Sequence, residues 1–168
     1  MSLKLMFITN DLSVTLIAQK YGVDRIWIDL ETLGKEARQP NMDTVKSFHS
    51  VSDIAKIAPQ LTTSEMLVRV NPWHDGSIEE INSVIEAGAE LVMLPMWKSP
   101  YEVKKFVDAV HKRAKTILLL ETKEAVECLD SVLAIDGVDE VHIGLNDLHL
   151  AYHRHPRYPL YFLHLRLR

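Results

Sequence analysis

Short apolar runs alternate with longer amphipathic segments over most of the chain. Six apolar runs have the length of strands, and most are continuous rather than alternating, as in strands buried on both faces of a parallel sheet. The predicted strands are residues 5–9, 25–30, 66–70, 91–96, 116–120 and 140–144. The segments between them predict helices at residues 12–21, 54–61, 77–87, 100–114 and 123–135.

Two of the predicted helices begin with capping signals. Ser77 is followed three residues later by Glu80, which is the pattern of a capping box. Ser99 precedes Pro100, a residue favoured in the first turn of a helix. We therefore predict helix N-termini at both positions.

The repeated order of strand and helix predicts a parallel sheet, either open and doubly wound or closed into a barrel. A dinucleotide-binding fold needs a glycine-rich turn after its first strand, and residues 9–12 contain no glycine. Barrels place functional side chains at the C-terminal ends of their strands. Polar residues stand at those positions here: Asn10, Glu31, Arg69, Asn71, Glu121, Asn146 and Asp147. We predict an α/β fold of the TIM-type (β/α)8 barrel class, incomplete, with about six β/α units.

The composition changes abruptly near the C-terminus. Residues 149–168 hold four of the eight histidines and no acidic residue, and they show neither helical amphipathicity nor a strand–turn–helix order. A histidine metal site or a basic anchor is one interpretation. We favour a non-native or weakly folded end, because the histidines lack a second pair at a regular spacing. The predicted domains are a partial barrel over residues 1–148 and an atypical tail over residues 149–168.

Bulk composition narrows the classes of function. A chain of 168 residues with 47% hydrophobic and 25% charged residues is typical of one globular domain. Its net charge of −4 provides no basic field for nucleic acid or an anionic membrane, and no apolar run is long enough to cross a bilayer. The N-terminal residues lack a signal-peptide pattern, and the single cysteine, Cys128, excludes an internal disulfide. We expect a cytoplasmic location.

Two acidic residues stand at the ends of neighbouring strands. Glu121 directly follows the strand at residues 116–120, and Asp147 follows residues 141–146. Adjacent parallel strands lie about 4.8 Å apart, so carboxylates at their tips can share one cation. Oxygen ligands of this kind suit Mg²⁺ or Mn²⁺. The alternative is that Glu121 caps the next helix and Asp147 makes a hydrogen bond in a loop.

Arg69 lies inside an apolar strand, where an unpaired charge is expensive. Its planar guanidinium can bind a substrate carboxylate or an enolate oxygen. It can equally form a structural ion pair with Asp29 or Glu31, which lie on one face of the second strand. Those acids can also orient a base or hold water, so the sequence leaves both interpretations open.

Taken in order, these motifs resemble the HpcH/HpaI aldolase and citrate lyase β-subunit family. The similarity is carried by residues 29–31, 68–71, 88–96, 120–122 and 137–148. Its most specific parts are the acid after the fifth strand and the sequence Gly-Leu-Asn-Asp-Leu after the sixth. Enzymes of this family are metal-dependent barrels that cleave or form carbon–carbon bonds beside a 2-oxo acid or an acyl thioester.

The resemblance implies that Glu121 and Asp147 bind Mg²⁺ or Mn²⁺. It implies that Arg69 contacts the oxygen that becomes the enolate, where a cation and a guanidinium stabilise the developing charge. We predict catalytic roles for Arg69, Glu31 and Asp29, and substrate contacts from Arg69, Asn71, Pro95 and Asn146. The resemblance also implies a small-molecule substrate and a homo-oligomer in full-length members of the family.

Two departures from the family pattern leave the activity open. Thr32 follows the glutamate of the second strand, where pyruvate-type aldolases of the family have histidine, and a hydroxyl cannot act as a general base near neutral pH. Candidates for proton transfer are Glu31, His74 or a metal-bound water. The last two barrel strands have no counterpart, so an inactive fragment that retains the metal site is the alternative. A phosphate-binding barrel enzyme ranks below both, because its site uses the loops after strands seven and eight.

Overall fold

A computed structural model describes residues 4–34 and 49–152 of the chain. Within these residues six parallel strands pair in chain order. The strands are β1 (Met6–Ile8), β2 (Arg25–Asp29), β3 (Glu65–Arg69), β4 (Leu91–Leu94), β5 (Lys115–Leu120) and β6 (Glu140–Ile143). The helices are α1 (Leu12–Lys20), α2 (Val51–Ile57), α3 (Ser77–Glu86), α4 (Pro100–Val110), α5 (Lys123–Glu127), α6 (Leu129–Leu133) and α7 (Leu145–Ala151). A short 3-10 helix, Ala58–Gln60, follows α2.

The predicted alternation of strand and helix is confirmed, and two predicted helices are shorter than expected. The helix expected at residues 100–114 ends at Val110, because the next two residues, His111 and Lys112, have left-handed φ angles of 50° and 58°. The helix expected at residues 123–135 is divided into α5 and α6 at Cys128, whose φ of −108° and ψ of 12° leave the helical region.

Alternation along the strands distributes side chains between two cores. One face of the sheet packs against the helices through residues such as Ile28, Val68 and Leu118. The other, inner face carries a second cluster, formed by Trp27, Leu67, Leu91, Met93, Ile117 and Leu119. Side chains packed inside a ring of parallel strands are the interior of a β/α barrel.

A charged cluster at the amino-terminal ends of the strands shows how strongly the sheet curls. Arg25 on β2 donates from Nη1 and Nη2 to Glu140 on β6, both at 2.7 Å, and from Nε to Glu65 on β3 at 3.1 Å. Lys115 on β5 donates to Glu65 at 2.7 Å. In a flat sheet β2 and β6 would lie about 19 Å apart, which is four strand spacings. The direct hydrogen bonds therefore require the sheet to bend into a half-barrel.

Both edges of this half-barrel expose apolar side chains. Phe7 and Ile8 on β1 and Ile143 on β6 are each at least 40% exposed. Among the described residues, β1 pairs only with β2, and β6 pairs only with β5. The incomplete barrel predicted from the sequence is consistent with this arrangement.

The C-terminal part of the described chain is helical. Helix α7 continues across residue 148, where the sequence predicts a domain boundary. Residues 153–168, most of the predicted tail, lie outside the described residues, so this boundary stays a prediction. No helix in the described ranges is long and apolar enough to cross a membrane.

The charged cluster predicts a large effect of one substitution on stability. Arg25→Leu removes the partner of Glu140 and one of the two partners of Glu65, while Arg25 itself is only 3% exposed. Because the two glutamates remain partly solvated, we expect a loss of about 2 kcal/mol in the free energy of unfolding. Urea unfolding followed by circular dichroism measures it.

Lys104→Ala is the matched control, because it removes an exposed ion pair with Asp108 on α4. Its expected effect is below about 0.5 kcal/mol. Equal unfolding midpoints for the Arg25 and Lys104 variants would contradict the role of the cluster in holding the curl.

Candidate functional site

The carboxyl ends of the strands gather the predicted site residues at one rim of the half-barrel. Asp29 ends β2 and Arg69 ends β3, and Glu121 directly follows β5. Glu31 and Asn71 stand two residues beyond β2 and β3, and Pro95 directly follows β4. Asn146 and Asp147 lie in the first turn of α7, just after β6. A parallel sheet in chain order brings these positions to one edge, as the sequence predicts.

Arg69 is held by two acids, Asp29 at the end of β2 and Glu31 two residues beyond it. Its Nε and Nη2 donate to the two carboxylate oxygens of Asp29 at 2.8 and 2.7 Å, and its Nη1 lies 3.3 Å from Glu31 Oε2. Burial opposes the charge on Arg69, but the hydrogen bonds and negative charges of its neighbours outweigh burial and raise its pKa. The ion pairs that the sequence offered as an alternative are therefore present, and the guanidinium stays charged beside the rim.

Glu121 is a nearly buried carboxylate, 3% exposed. Its Oε1 accepts a hydrogen bond from the backbone N–H of Met96 at 3.0 Å. Burial and the negative charges of Glu31 and Asp147 raise the pKa of Glu121 to about 7, against the opposing effects of Met96 and Arg69. Glu31, Asp147 and Arg69 are thus each near enough to Glu121 for their charges to affect its pKa.

Gly144 provides the space beside Glu121. A Cβ atom at this position would lie 2.9 Å from Glu121 Cβ and 3.0 Å from Oε2, closer than real Cβ atoms approach. The Gly144 N–H also donates to Leu120 O at 3.0 Å, which ties the end of β6 to β5. The missing side chain lets the backbone at the start of α7 lie directly against the Glu121 side chain.

The structure excludes one of the two interpretations offered for Glu121, that of a helix cap. The residue that caps α5 is Thr122, whose Oγ1 accepts from Ala125 N at 3.1 Å and donates to Trp97 O at 2.8 Å. Glu121 is thus not the helix cap that the sequence allowed. Its carboxylate points instead toward the rim, between Met96 and Gly144.

Asn71 joins the loops after β2 and β3. Its Oδ1 accepts from the backbone N–H groups of Thr32 and Leu33 at 2.9 and 3.0 Å, and its Nδ2 donates to Glu80 at 2.8 Å. These contacts fix the segment that carries Glu31. The substrate contact predicted for Asn71 stays a prediction, and the amide group already has a structural role.

The capping box predicted at the start of α3 is wrong. Gly76, not Ser77, precedes the helix, and Ser77 Oγ accepts a hydrogen bond from His74 N at 2.8 Å. Glu80 turns away from the helix start toward Asn71 and His74, whose Nε2 lies 3.2 Å from Glu80 Oε2. His74 is therefore engaged in the loop after β3.

Met96 is a site residue that sequence reasoning missed. Its φ of 54° lies in the left-handed region, which non-glycine residues seldom adopt and which clusters at functional sites. This backbone geometry accompanies the N–H donated to Glu121. A methionine carries no sequence signal for a left-handed conformation, whereas Gly144 falls in the recognised Gly-Leu-Asn-Asp-Leu motif.

The donor set of the rim fits a hard divalent cation. Glu121 and Asp147 offer carboxylate oxygens, and the pKa of Glu121 is raised to about 7 first by burial and then by the negative charges of Glu31 and Asp147. No group of three or more histidine, cysteine or acidic side chains arranged to hold a metal occurs within residues 4–34 and 49–152. Mg²⁺ is commonly bound by one or two protein carboxylates, with water and substrate completing its shell.

A separate cleft of about 760 Å³ lies at the opposite end of the sheet. Its walls include Glu65, Lys115, Thr116 and Asp139, near the amino-terminal ends of the strands. Four of its charged groups form two ion pairs, Lys115 with Glu65 and Lys112 with Asp136. It contains none of the rim residues, and barrel enzymes act at the carboxyl ends of their strands.

A curled parallel β/α sheet, with acidic side chains and the Arg69 guanidinium at its carboxyl rim, defines the class as a protein of the β/α-barrel type. A family model described as HpcH/HpaI aldolase/citrate lyase matches residues 5–159. The chain belongs to this family, as its motifs indicate.

Individual relatives agree with the family. The chain is 28% identical to a hydroxypyruvate/pyruvate aldolase of Roseovarius nubinhibens, over 60% of this chain and 51% of the relative. It is 26% identical to an enzyme of the same name from Rhizorhabdus wittichii, over 61% of this chain and 52% of the relative. The chain thus spans about half the length of these relatives.

A solved structure shares the fold. The HpcH/HpaI aldolase from Desulfitobacterium hafniense superposes with a TM-score of 0.70 at 18% identity, covering 92% of this chain and 69% of that one. The similarity supports a six-unit portion of a larger β/α barrel.

The Asn71 contacts predict a local effect at the loop after β2. Asn71→Ala leaves the N–H groups of Thr32 and Leu33 without their acceptor. We expect a loss of about 1–2 kcal/mol in the free energy of unfolding and faster amide hydrogen exchange at these two residues. Asn82→Ala, which removes an exposed acceptor of Arg113, is the control. Unchanged exchange at Thr32 and Leu33 would contradict the loop-holding role of Asn71.

Proposed function

We propose that this chain carries the site of a metal-dependent carbon–carbon lyase that cleaves or forms small 2-oxo acid adducts through an enolate. The observation that supports the proposal most is that one rim carries both the Arg69 guanidinium, held by Asp29 and Glu31, and the buried carboxyl group of Glu121, with Asp147 in the first turn after β6. The names of the curated relatives, hydroxypyruvate/pyruvate aldolases, point to substrates of this class.

The role proposed for Arg69 follows from the chemistry of the cleavage. In a retro-aldol step the bond between C3 and C4 of a 2-oxo-4-hydroxy acid breaks, and its electron pair becomes an enolate at C2 and C3. The hydroxyl proton at C4 leaves to a base, and an aldehyde is released. Donors aimed at the developing oxygen charge lower the barrier. Arg69 has N–H groups beyond those directed at Asp29 and Glu31, because a guanidinium carries five.

Asp29 and Glu31 act through Arg69 in this proposal. Their hydrogen bonds and ion-pair contact hold one edge of the guanidinium and keep the group charged. Glu31 also contributes negative charge near Glu121. Their predicted catalytic roles are therefore proposed to be those of positioning groups.

Glu121 and Asp147 are proposed to hold Mg²⁺ or Mn²⁺. When bound, such an ion supplies Lewis-acid polarisation of a carbonyl oxygen and orients a chelating substrate. The Met96 N–H fixes one oxygen of Glu121, so the second oxygen is directed along the Gly144 side of the rim. Pro95, buried beside Met96, and the exposed Asn146 are the proposed substrate-binding neighbours.

The departure at Thr32 supports a second candidate, an inactive barrel portion that retains the cation site. Thr32 donates its N–H to Asn71 and cannot serve as a general base near neutral pH. Turnover therefore decides between the two candidates. The thioester substrates of lyase-like relatives, a cytoplasmic location and a homo-oligomer in the complete protein stay predictions.

Turnover is tested by mixing the chain with Mg²⁺ or Mn²⁺ and a 2-oxo-4-hydroxy acid and measuring pyruvate release with a coupled assay. We expect release that depends on the metal. Arg69→Lys keeps the charge but loses the planar fork, and should lower kcat by about 100-fold or more. No release across several such acids, with the metal bound, would favour the inactive candidate.

Cation binding is tested apart from turnover by titrating Mn²⁺ and recording its electron paramagnetic resonance signal. Glu121→Gln keeps the size of the side chain and removes its charge, so we expect Mn²⁺ affinity to fall by about 100-fold or more. Glu124→Gln, on the neighbouring helix α5, should leave the affinity unchanged. Equal affinities in the Glu121 and Glu124 variants would contradict the proposed ligand.

A further inference from the structure

Trp27 supports one face of the Arg69 guanidinium. The residue lies on the inner face of β2, and Arg69 Cζ is 5.2 Å from the centroid of its ring. A guanidinium within about 6 Å of an indole face is attracted by the ring, more strongly where water is excluded. Trp27 is only 9% exposed, so the contact lies in the more strongly attractive setting.

The guanidinium of Arg69 is therefore contacted along one edge by carboxylates and on one face by the indole ring. The hydrogen bonds to Asp29 fix the edge, and Glu31 lies near a third nitrogen at 3.3 Å. The two hydrogen bonds to Asp29 alone would leave the guanidinium free to tilt about the edge that joins Nε and Nη2, and the longer Glu31 contact is the one other polar restraint among the described residues. The indole face restricts this tilt, which determines where the remaining N–H groups point.

The Trp27 ring is itself oriented from across the half-barrel. The His142 ring on β6 meets it at 85°, with the ring centroids 6.0 Å apart. Trp27 Nε1 has no hydrogen-bond partner among the described residues, although buried indole N–H groups usually find one. The interaction of this indole with Arg69 is made by the face of the ring. Its N–H makes no hydrogen bond among the described residues that would account for a tryptophan at this position.

We propose that Trp27 is a positioning residue, whose indole face holds the Arg69 guanidinium at the tilt that meets a planar carboxylate or enolate oxygen at the rim. The identity of the anion rests on the proposed function, whereas the contact between Trp27 and Arg69 does not. The sequence pattern alone treats Trp27 as an apolar strand residue.

Oxalate provides the test, because this planar dianion resembles the enolate of a 2-oxo acid. Its binding in the presence of Mg²⁺ is measured by isothermal titration calorimetry. Trp27→Leu keeps an apolar side chain but removes the aromatic face, and we expect the affinity for oxalate to fall about tenfold. Trp27→Phe retains a face and should remain within about threefold of the original affinity.

Two comparisons separate positioning from simple packing. Tyr101→Leu removes an exposed ring beneath Lys105 on α4, and should leave oxalate affinity unchanged. In an Arg69→Lys background, Trp27→Leu should cost less than about threefold, because an ammonium group has no plane to tilt. Equal losses in the arginine and lysine backgrounds would overturn the positioning role.

Melting curves by circular dichroism establish which variants fold. Trp27→Met, which also lacks an aromatic face but fills irregular space, replaces the leucine variant if that one does not fold. A chain that binds no oxalate at all overturns both the proposed function and the role of Trp27. A chain that binds oxalate equally well with and without the indole face overturns the role of Trp27 alone.

Discussion

The balance of charge at the carboxyl rim is the constraint on which the rest of the site depends. Arg69 is the cation that contacts Asp29 and Glu31, while Glu121 and Asp147 add further negative charge nearby. The single positive charge of Arg69 cannot offset the negative charges of four carboxylates at this partly buried rim. Burial, together with the negative charges of Glu31 and Asp147, raises the pKa of Glu121 to about 7, so this carboxyl group binds a proton near neutral pH unless a metal ion offsets its charge.

The curl of the sheet makes this concentration of charge possible. At the amino-terminal ends of the strands, Arg25 joins β2 to β6. Midway along the inner face, His142 on β6 contacts Trp27 on β2. At the rim, the strand ends that carry Arg69 and Glu121 then face one another rather than lying along a flat edge. The same bending that forms the inner core therefore also forms the site.

Much of this arrangement can be predicted from the sequence. The spacing of apolar residues and the polar residues at the end of each strand are both visible in short stretches of the chain. The order of six strands and the placement of Glu121 after β5 needed only the pattern of apolar runs. The contacts of Met96, and the structural use of Asn71 and Glu80, could not be predicted. They depend on a left-handed backbone and on loops that meet only after the sheet forms. The division of a predicted helix at Cys128 depends on the backbone angles of that residue, which the pattern of apolar positions does not encode.

The most direct test of the central claim is anomalous diffraction at the manganese edge from crystals of the chain soaked in Mn²⁺. The charge balance at the rim predicts one strong peak between the carboxylates of Glu121 and Asp147, on the side of the half-barrel where Arg69 lies. A peak at the opposite end of the strands, or full Mn²⁺ occupancy at a site that involves neither carboxylate, would contradict it.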